Sequence, residues 1–405
     1  MIKLKIPEAA AAVIAELERC GYEAFAVGGC VRDAILGREP NDWDVTTLAH
    51  PDKTLGIFSS IPDFKAIPTG IAHGTVTVVY QKTPIEVTTY RIDGEYSDSR
   101  HPDSVNFTDS IAADLARRDF TVNAMAYSDG RGLVDPYGGV RDLEAGIIRC
   151  VGSPRERFSE DALRILRALR FSSVLGFTVE ADTATAAIEL KSLLANVSRE
   201  RIGAETAKLV CGRDAARVVG EFLPVICEIL PDADFGGIDK ICASLDRLSE
   251  PSVPLALAAL LADSGANAGM SLRSLRLDNA TITRCSAIVS HLQDELYGEV
   301  ALKRLCRDIG CEAALDTVRL QCARGECDAS LIDTLLNIAK RGDCVSLSQL
   351  MIGGDELLSL GVVPREIGKI LDELLDGVIS SELPNDKKAL LCEAERIITR
   401  KDTHK

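Results

Sequence analysis

The chain has 405 residues, a formal net charge of -15, 26% charged and only 4% aromatic side chains. At roughly 100 to 200 residues per domain this predicts two to four units rich in helix formers, and it argues against disorder over most of the length. The acidic balance excludes a protein that coats nucleic acid through clustered Lys and Arg, though it leaves room for local basic patches.

Thirteen cysteines are present, none spaced Cys-x-x-Cys. The closest spacings, Cys306/Cys311 and Cys322/Cys327, have no histidine nearby, so they read as reduced, mostly buried thiols of a cytoplasmic protein. The longest apolar run, Val253 to Ala262, contains Pro254 and falls far short of the roughly 20 residues that span a bilayer, so no membrane partner is expected.

From the start, Pro7 to Gly21 predicts an amphipathic helix rather than a signal peptide. Ala24 to Val27 reads as a short buried strand, Cys30 to Leu36 as a helix closed by Gly37, and Trp43 to Thr47 as a second strand. Thr75 to Tyr80 and Ile85 to Tyr90 form a predicted hairpin around Gln81-Lys82-Thr83-Pro84. From Ser159 onward the periodicity is helical, broken by Gly and Pro at intervals, with no fixed repeat. The expected class is therefore α+β: a mixed head followed by an all-helical arm.

Three carboxylates carry the chemistry. Asp42 and Asp44 are two residues apart, and in a strand such residues face the same way, so both can reach one pair of divalent cations. Acidic residues are depleted in strands, and the alternative is a solvated strand end. Glu86, inside Ile85-Glu86-Val87-Thr88-Thr89, is either a third ligand or an ordinary outward residue. Together they could hold two magnesium ions that activate a hydroxyl and stabilise leaving pyrophosphate.

Gly28-Gly29, between strand and helix, lets phosphates approach the backbone, and Arg32 adds a cation one turn on; the same residues could make an ordinary turn. The segment Ser159 to Arg170 predicts one helix with Asp161, Arg164, Arg167 and Arg170 along an i, i+3 ridge. That ridge is either a salt-bridged surface or a base reader. A carboxylate accepts from the amine of cytosine N4 or adenine N6 while a guanidinium donates to the ring acceptor beside it, so an Asp161 and Arg164 pair would take C and A and reject U and G.

The runs Gly28-Gly29-Cys30-Val31-Arg32-Asp33 with Asp42-Trp43-Asp44, Asp114 to Ala124, Val134-Asp135-Pro136-Tyr137-Gly138-Gly139 and Glu160-Asp161-Ala162-Leu163-Arg164 resemble the motifs of class II CCA-adding enzymes, tRNA nucleotidyltransferases related to bacterial poly(A) polymerase. Arg199 to Lys208 resembles a fifth motif, and the tail from Ile352 through Asn385 resembles the family weakly. The resemblance implies a polymerase-β-like nucleotidyltransferase head followed by an elongated all-α neck, body and tail. It places the head at 1–148, the neck with the base-recognition helix at 149–210, the body at 211–330 and the tRNA-binding tail at 331–405.

It further implies that Asp42 and Asp44 are metal ligands for Mg2+ and that Gly28, Gly29 and Arg32 meet the incoming triphosphate. Arg118 resembles a nucleotide-binding arginine, while Asp161, Arg164, Arg167 and Arg170 resemble base and phosphate readers. The implied partners are the tRNA acceptor arm and 3′ end, CTP and ATP, with no DNA. Arg91 to Pro102 resembles the loop of enzymes that add the complete CCA end, and the alternatives are poly(A) synthesis, partial addition, or a silent RNA-binding relative. Leu260-Leu261-Ala262-Asp263 lacks the histidine that an additional phosphohydrolase site would require.

Overall fold

The computed structural model describes residues 3–94 and 105–402. The chain divides into two compact units, residues 1–231 and 232–405. The first begins with α1 (Glu8–Arg19), which buries Ala10, Val13, Ile14 and Leu17, the i, i+3, i+4, i+7 stripe of an amphipathic helix. Then follow β1 (Ala24–Val27), α2 (Gly29–Ile35), β2 (Asp44–Thr47), α3 (Pro51–Ser59), β3 (Phe64–Gly70), β4 (Thr75–Tyr80) and β5 (Thr83–Thr89). Two short strands, β6 (Arg91–Asp93) and β7 (Val105–Phe107), pair with each other. The rest of the segment expected to act as a loop, residues 95–102, lies outside the described residues.

After α4 (Ile111–Ala116), strands β8 (Ala126–Ser128) and β9 (Gly132–Val134) complete a seven-stranded sheet in the order β3-β4-β5-β2-β1-β8-β9. β1 is central in the sheet, between β2 and β8, and is buried at all four positions under packed neighbours that include α1 and a cluster of Phe25 and Val27 with Tyr90 and Leu115, which fits the uniformly apolar Ala24-Phe25-Ala26-Val27. Within this sheet β2 and β5 run parallel, and their register sets Asp44 opposite Glu86. β3 sits at the edge, where Pro68 costs no ladder bond, and its half-exposed residues give no alternating signal that the sequence reading could use.

Beyond α5 (Gly139–Ala145) and the pair β10 (Ile147–Ile148) and β11 (Thr178–Val179), the unit is helical: α6 (Pro154–Glu160), α7 (Leu163–Leu175), α8 (Ala181–Glu189), α9 (Arg199–Val210), α10 (Ala215–Glu221) and α11 (Leu223–Ile229). The single helix expected over 159–170 is two. Asp161 has φ -140° and ψ 101°, an extended conformation that ends α6, and its Oδ1 accepts from the Leu163 N–H at the start of α7. Such local side-chain bonding competes with helix, so Asp161 stands at a break and not on the ridge of Arg164, Arg167 and Arg170.

The second unit runs from α12 (Ile238–Arg247) to α21 (Lys387–Asp402), through α13 (Val253–Leu261), α14 (Ala268–Ser274), α15 (Asn279–Ser290), α16 (Gly298–Ile309), α17 (Cys311–Arg324), α18 (Ser330–Arg341), α19 (Gly354–Ser359) and α20 (Pro364–Ile379). One apolar cluster joins Leu302, Leu305, Val318, Leu335 and Ile338; another joins Leu357, Ile370, Leu374, Leu390 and Ile397. No helix among the described residues is long and apolar enough to cross a membrane.

Candidate active site

Asp42, just before β2, Asp44, its first residue, and Glu86 on β5 are all exposed. In-register neighbours on adjacent strands share a face, so Asp44 and Glu86 project from one side of the sheet while Ile85 and Val87 enter the core on the other. The Asp44 carboxylate keeps access to solvent but is crowded on most sides. That partial burial, then repulsion from Glu86 and Asp42, pushes it up to about 6 against the opposing pull of Arg118. Among the described residues no three acidic, Cys or His side chains are gathered tightly enough to grip an ion. The carboxylates share a neighbourhood without converging.

Beside them lies a set of guanidiniums. Gly28 precedes α2 with φ +84°, and a Cβ built there would stand 2.8 Å from Nη1 of Arg118, so the missing side chain is what admits that arginine. Burial pulls Arg118 below the usual arginine range, opposed by the charge of Asp114, toward which its Nη2 lies at 3.6 Å. Gly29 opens α2, and a Cβ there would meet only Arg32 at ordinary contact distance.

Arg32 donates two bonds of 2.8 Å to Asp33 and one of 2.6 Å to Asn123 Oδ1. The Asn123 amide donates to Asp119 Oδ1 at 3.0 Å, and Asp119 Oδ2 accepts from Arg167 at 2.9 and 2.5 Å. Burial alone would raise the Asp119 carboxyl, but Arg167, Asn123 and Arg164 outweigh it and hold the group at about 2. Phe171 lies beneath three cations, with Arg170, Arg32 and Arg167 at 4.1, 5.0 and 5.5 Å from its ring centre. Arg170 is also paired with Glu205 at 2.7 Å.

The expected base readers are both engaged elsewhere. Asp161 Oδ2 accepts from Arg201 at 2.8 Å, and Arg164 donates to Glu160 at 2.5 Å and to the carbonyls of Arg157 and Arg117 at 3.1 Å. The structure thus gathers Gly28, Arg32, Arg118, Arg167 and Arg170, and sets Asp44 beside Glu86, while Arg164 meets Asp161 through its backbone N–H, which donates to the Asp161 carbonyl at 2.9 Å. Asn123, Asp119, Phe171, Glu160 and Arg201 escaped the sequence reading as partners. Asp119 and Asn123 stand within one motif run, Arg201 within another and Glu160 within a third, which is the signal by which they could have been found.

The family model described as "Poly A polymerase head domain" matches residues 24–149, and that described as "tRNA nucleotidyltransferase domain 2" matches 250–394. The CCA-adding enzyme of Lactobacillus delbrueckii subsp. bulgaricus is 35% identical over 384 residues, covering 93% of this chain and 95% of that one. That of Geobacillus kaustophilus is 34% identical over 396 residues, 95% of each. Among solved structures, the Bacillus stearothermophilus CCA-adding enzyme in complex with CTP aligns with a TM-score of 0.83 at 31% identity, over 98% of both chains. With a polymerase-β-like head of mixed sheet, helices after it, and this likeness along nearly its whole length, the chain belongs to the family of CCA-adding enzymes.

Proposed function

We propose that this protein adds C, C and A, without a template, to the 3′ end of tRNA in the cytoplasm, using CTP and ATP and releasing pyrophosphate. The observation that carries the reading is Asp44 held in register with Glu86 beside Arg118, in a chain whose full-length relatives are CCA-adding enzymes. Such nucleotidyltransferases generally use divalent metals.

The donor set fits Mg2+: hard carboxylate oxygens from Asp42 and Asp44, with Glu86 opposite, and an Asp44 carboxyl pushed up first by partial burial and then by a repulsion from Glu86 and Asp42 that a cation would relieve. Asp42 and Asp44 would hold the metal, which when bound supplies charge neutralisation for the α-phosphate and the departing pyrophosphate. The remaining work falls to the chain. Gly28 and Gly29 leave room for the triphosphate, and Arg32, Arg118, Arg167 and Arg170 offset its charge. One carboxylate of Asp42, Asp44 and Glu86 accepts the proton of the terminal ribose hydroxyl.

Asp161 would accept from the exocyclic amine of C or A and Arg164 would donate to the ring. Reading a base then requires Asp161 to share its oxygens with Arg201, and Arg164 to share its donors with Glu160. We assign the catalytic head to 1–148, the neck to 149–210, the body to 211–330 and the tRNA-holding tail to 331–405. The match over 24–149 supports the end of the head.

The test is incubation of tRNA lacking its last three nucleotides with labelled CTP and ATP. Two C and one A per molecule is the expected product. A ladder of A would mark a poly(A) polymerase, a stop after CC a partial enzyme, and no incorporation a silent relative.

A further inference from the structure

We propose that Cys322 and Cys327, in the second unit, form a thiol pair that a low-molecular-weight disulfide converts reversibly into an intramolecular disulfide. The local fold brings them together. α17 ends at Gly325 in a left-handed turn, φ +75°, with the Gly325 N–H on the Cys322 carbonyl and the Glu326 N–H on that of Gln321, both at 2.9 Å. The reversed chain returns residue 327 to the side of residue 322, and the two sulfurs stand 2.8 Å apart in a thiol hydrogen bond. Secondary contacts of 3.6 Å to the carbonyls of Asp328 and Val318 orient them further.

Access distinguishes this pair from its neighbour. Cys306, which is hydrogen-bonded to Cys311 at the other end of α17, is only 3% exposed. Cys322 and Cys327 are half-buried at the edge of the same apolar cluster, and Cys327 lines an open cavity of about 550 Å³ with Gln321, Glu326, Asp328 and Leu331. A cavity of that size admits a small reagent. Burial, then the hydrogen bond with Cys322, pushes the Cys327 thiol upward, and with the two sulfurs in contact either one can open the exchange while the other resolves it.

With Cys322 as the first to react, and with the roles exchanged when Cys327 reacts first, the thiolate attacks one sulfur of the reagent, whose S–S bond breaks. One half leaves as a thiol, and the other stays as a mixed disulfide on Cys322. Cys327 then gives up its proton and attacks the Cys322 sulfur, releasing the second half. Two protein thiols lose two electrons and two protons, and the reagent becomes two thiols.

The experiment treats the full chain with oxidised glutathione, alkylates the remaining thiols and digests with trypsin. The expected product is a cross-link between Leu320–Arg324 and Gly325–Lys340, removed by dithiothreitol. In Cys327→Ser or Cys322→Ser a glutathione adduct should be trapped on the remaining thiol of the pair. The proposal is overturned if both peptides stay alkylated while exposed Cys20, Cys227 and Cys392 carry glutathione. It is equally overturned if neither Cys327→Ser nor Cys322→Ser traps an adduct on the remaining thiol of the pair, or if the cross-link forms at Cys306 and Cys311 instead.

Discussion

Asp119 Oδ2 accepts from Nε and Nη2 of Arg167, two bonds converging on one oxygen across 48 residues of chain, and ties the second motif to α7. Through Asn123 the same carboxylate also steadies Arg32. Asp119→Asn should therefore act in two places. Removing one partner of a largely buried pair costs about 3 kcal/mol, read as a lower urea midpoint, and the loosened Arg32 and Arg167 should raise the KM for CTP about tenfold. Unchanged stability together with unchanged KM would exclude this role.

The same group sets an acid limit. Its folded value of about 2 lies below the unfolded carboxylate value of about 3.9, so its contribution is complete above about pH 4 and is lost as pH falls towards 2. The contribution is about 2 kcal/mol. Urea titrations of the native chain and of Asp119→Asn at pH 6 and pH 3 should show the native chain losing more stability; parallel losses would assign acid sensitivity to other groups.

Asp44→Ala should abolish incorporation while leaving tRNA binding largely intact, because the proposed mechanism puts this carboxylate, which lies on β2 in the head, at the reacting centre. Filter binding beside incorporation reads both. Normal incorporation by this variant would remove the proposed mechanism.

At Gly28 a methyl group meets both a backbone that L residues rarely adopt and Nη1 of Arg118. Gly28→Ala should cost about 1 to 3 kcal/mol in strain and displace Arg118, raising the KM for both nucleotides more than it lowers kcat. If the effect runs through Arg118, adding Arg118→Ala should worsen KM less than in the native background. Fully additive losses would show that the two act separately.

Asp161→Asn keeps an acceptor but adds an amide donor suited to the carbonyls of uracil and guanine. Misincorporation of UTP should rise at least tenfold relative to CTP in single-nucleotide assays. Retained discrimination would move base choice away from Asp161.

Much of the head was legible because its signals are local. Ala24 to Val27 is apolar throughout, as a central strand must be, whereas Asp42 lies just before β2 and so outside the alternation that its two-residue spacing from Asp44 implies. The register of Asp44 with Glu86 was not legible, since it depends on β3 and β4 folding in between. Nor was the break at Asp161: Ser159 to Arg170 has helical composition throughout, and the competing bond from Leu163 leaves no trace in periodicity. Arg201 with Asp161 and Arg170 with Glu205 meet only because α7 packs on α9, an association that no spacing rule encodes.

The parallel pairing of β2 with β5 also makes this centre sensitive to chain length in an unusual way. Side-chain direction alternates at every step along β5, so losing a single residue between Thr83 and Glu86 while the ladder is kept would turn the Glu86 carboxylate into the hydrophobic interior and swing Ile85 out to water. An insertion at the Gln81-Lys82 tip could be absorbed by the turn, but inside β5 the position of one acid is fixed by counting.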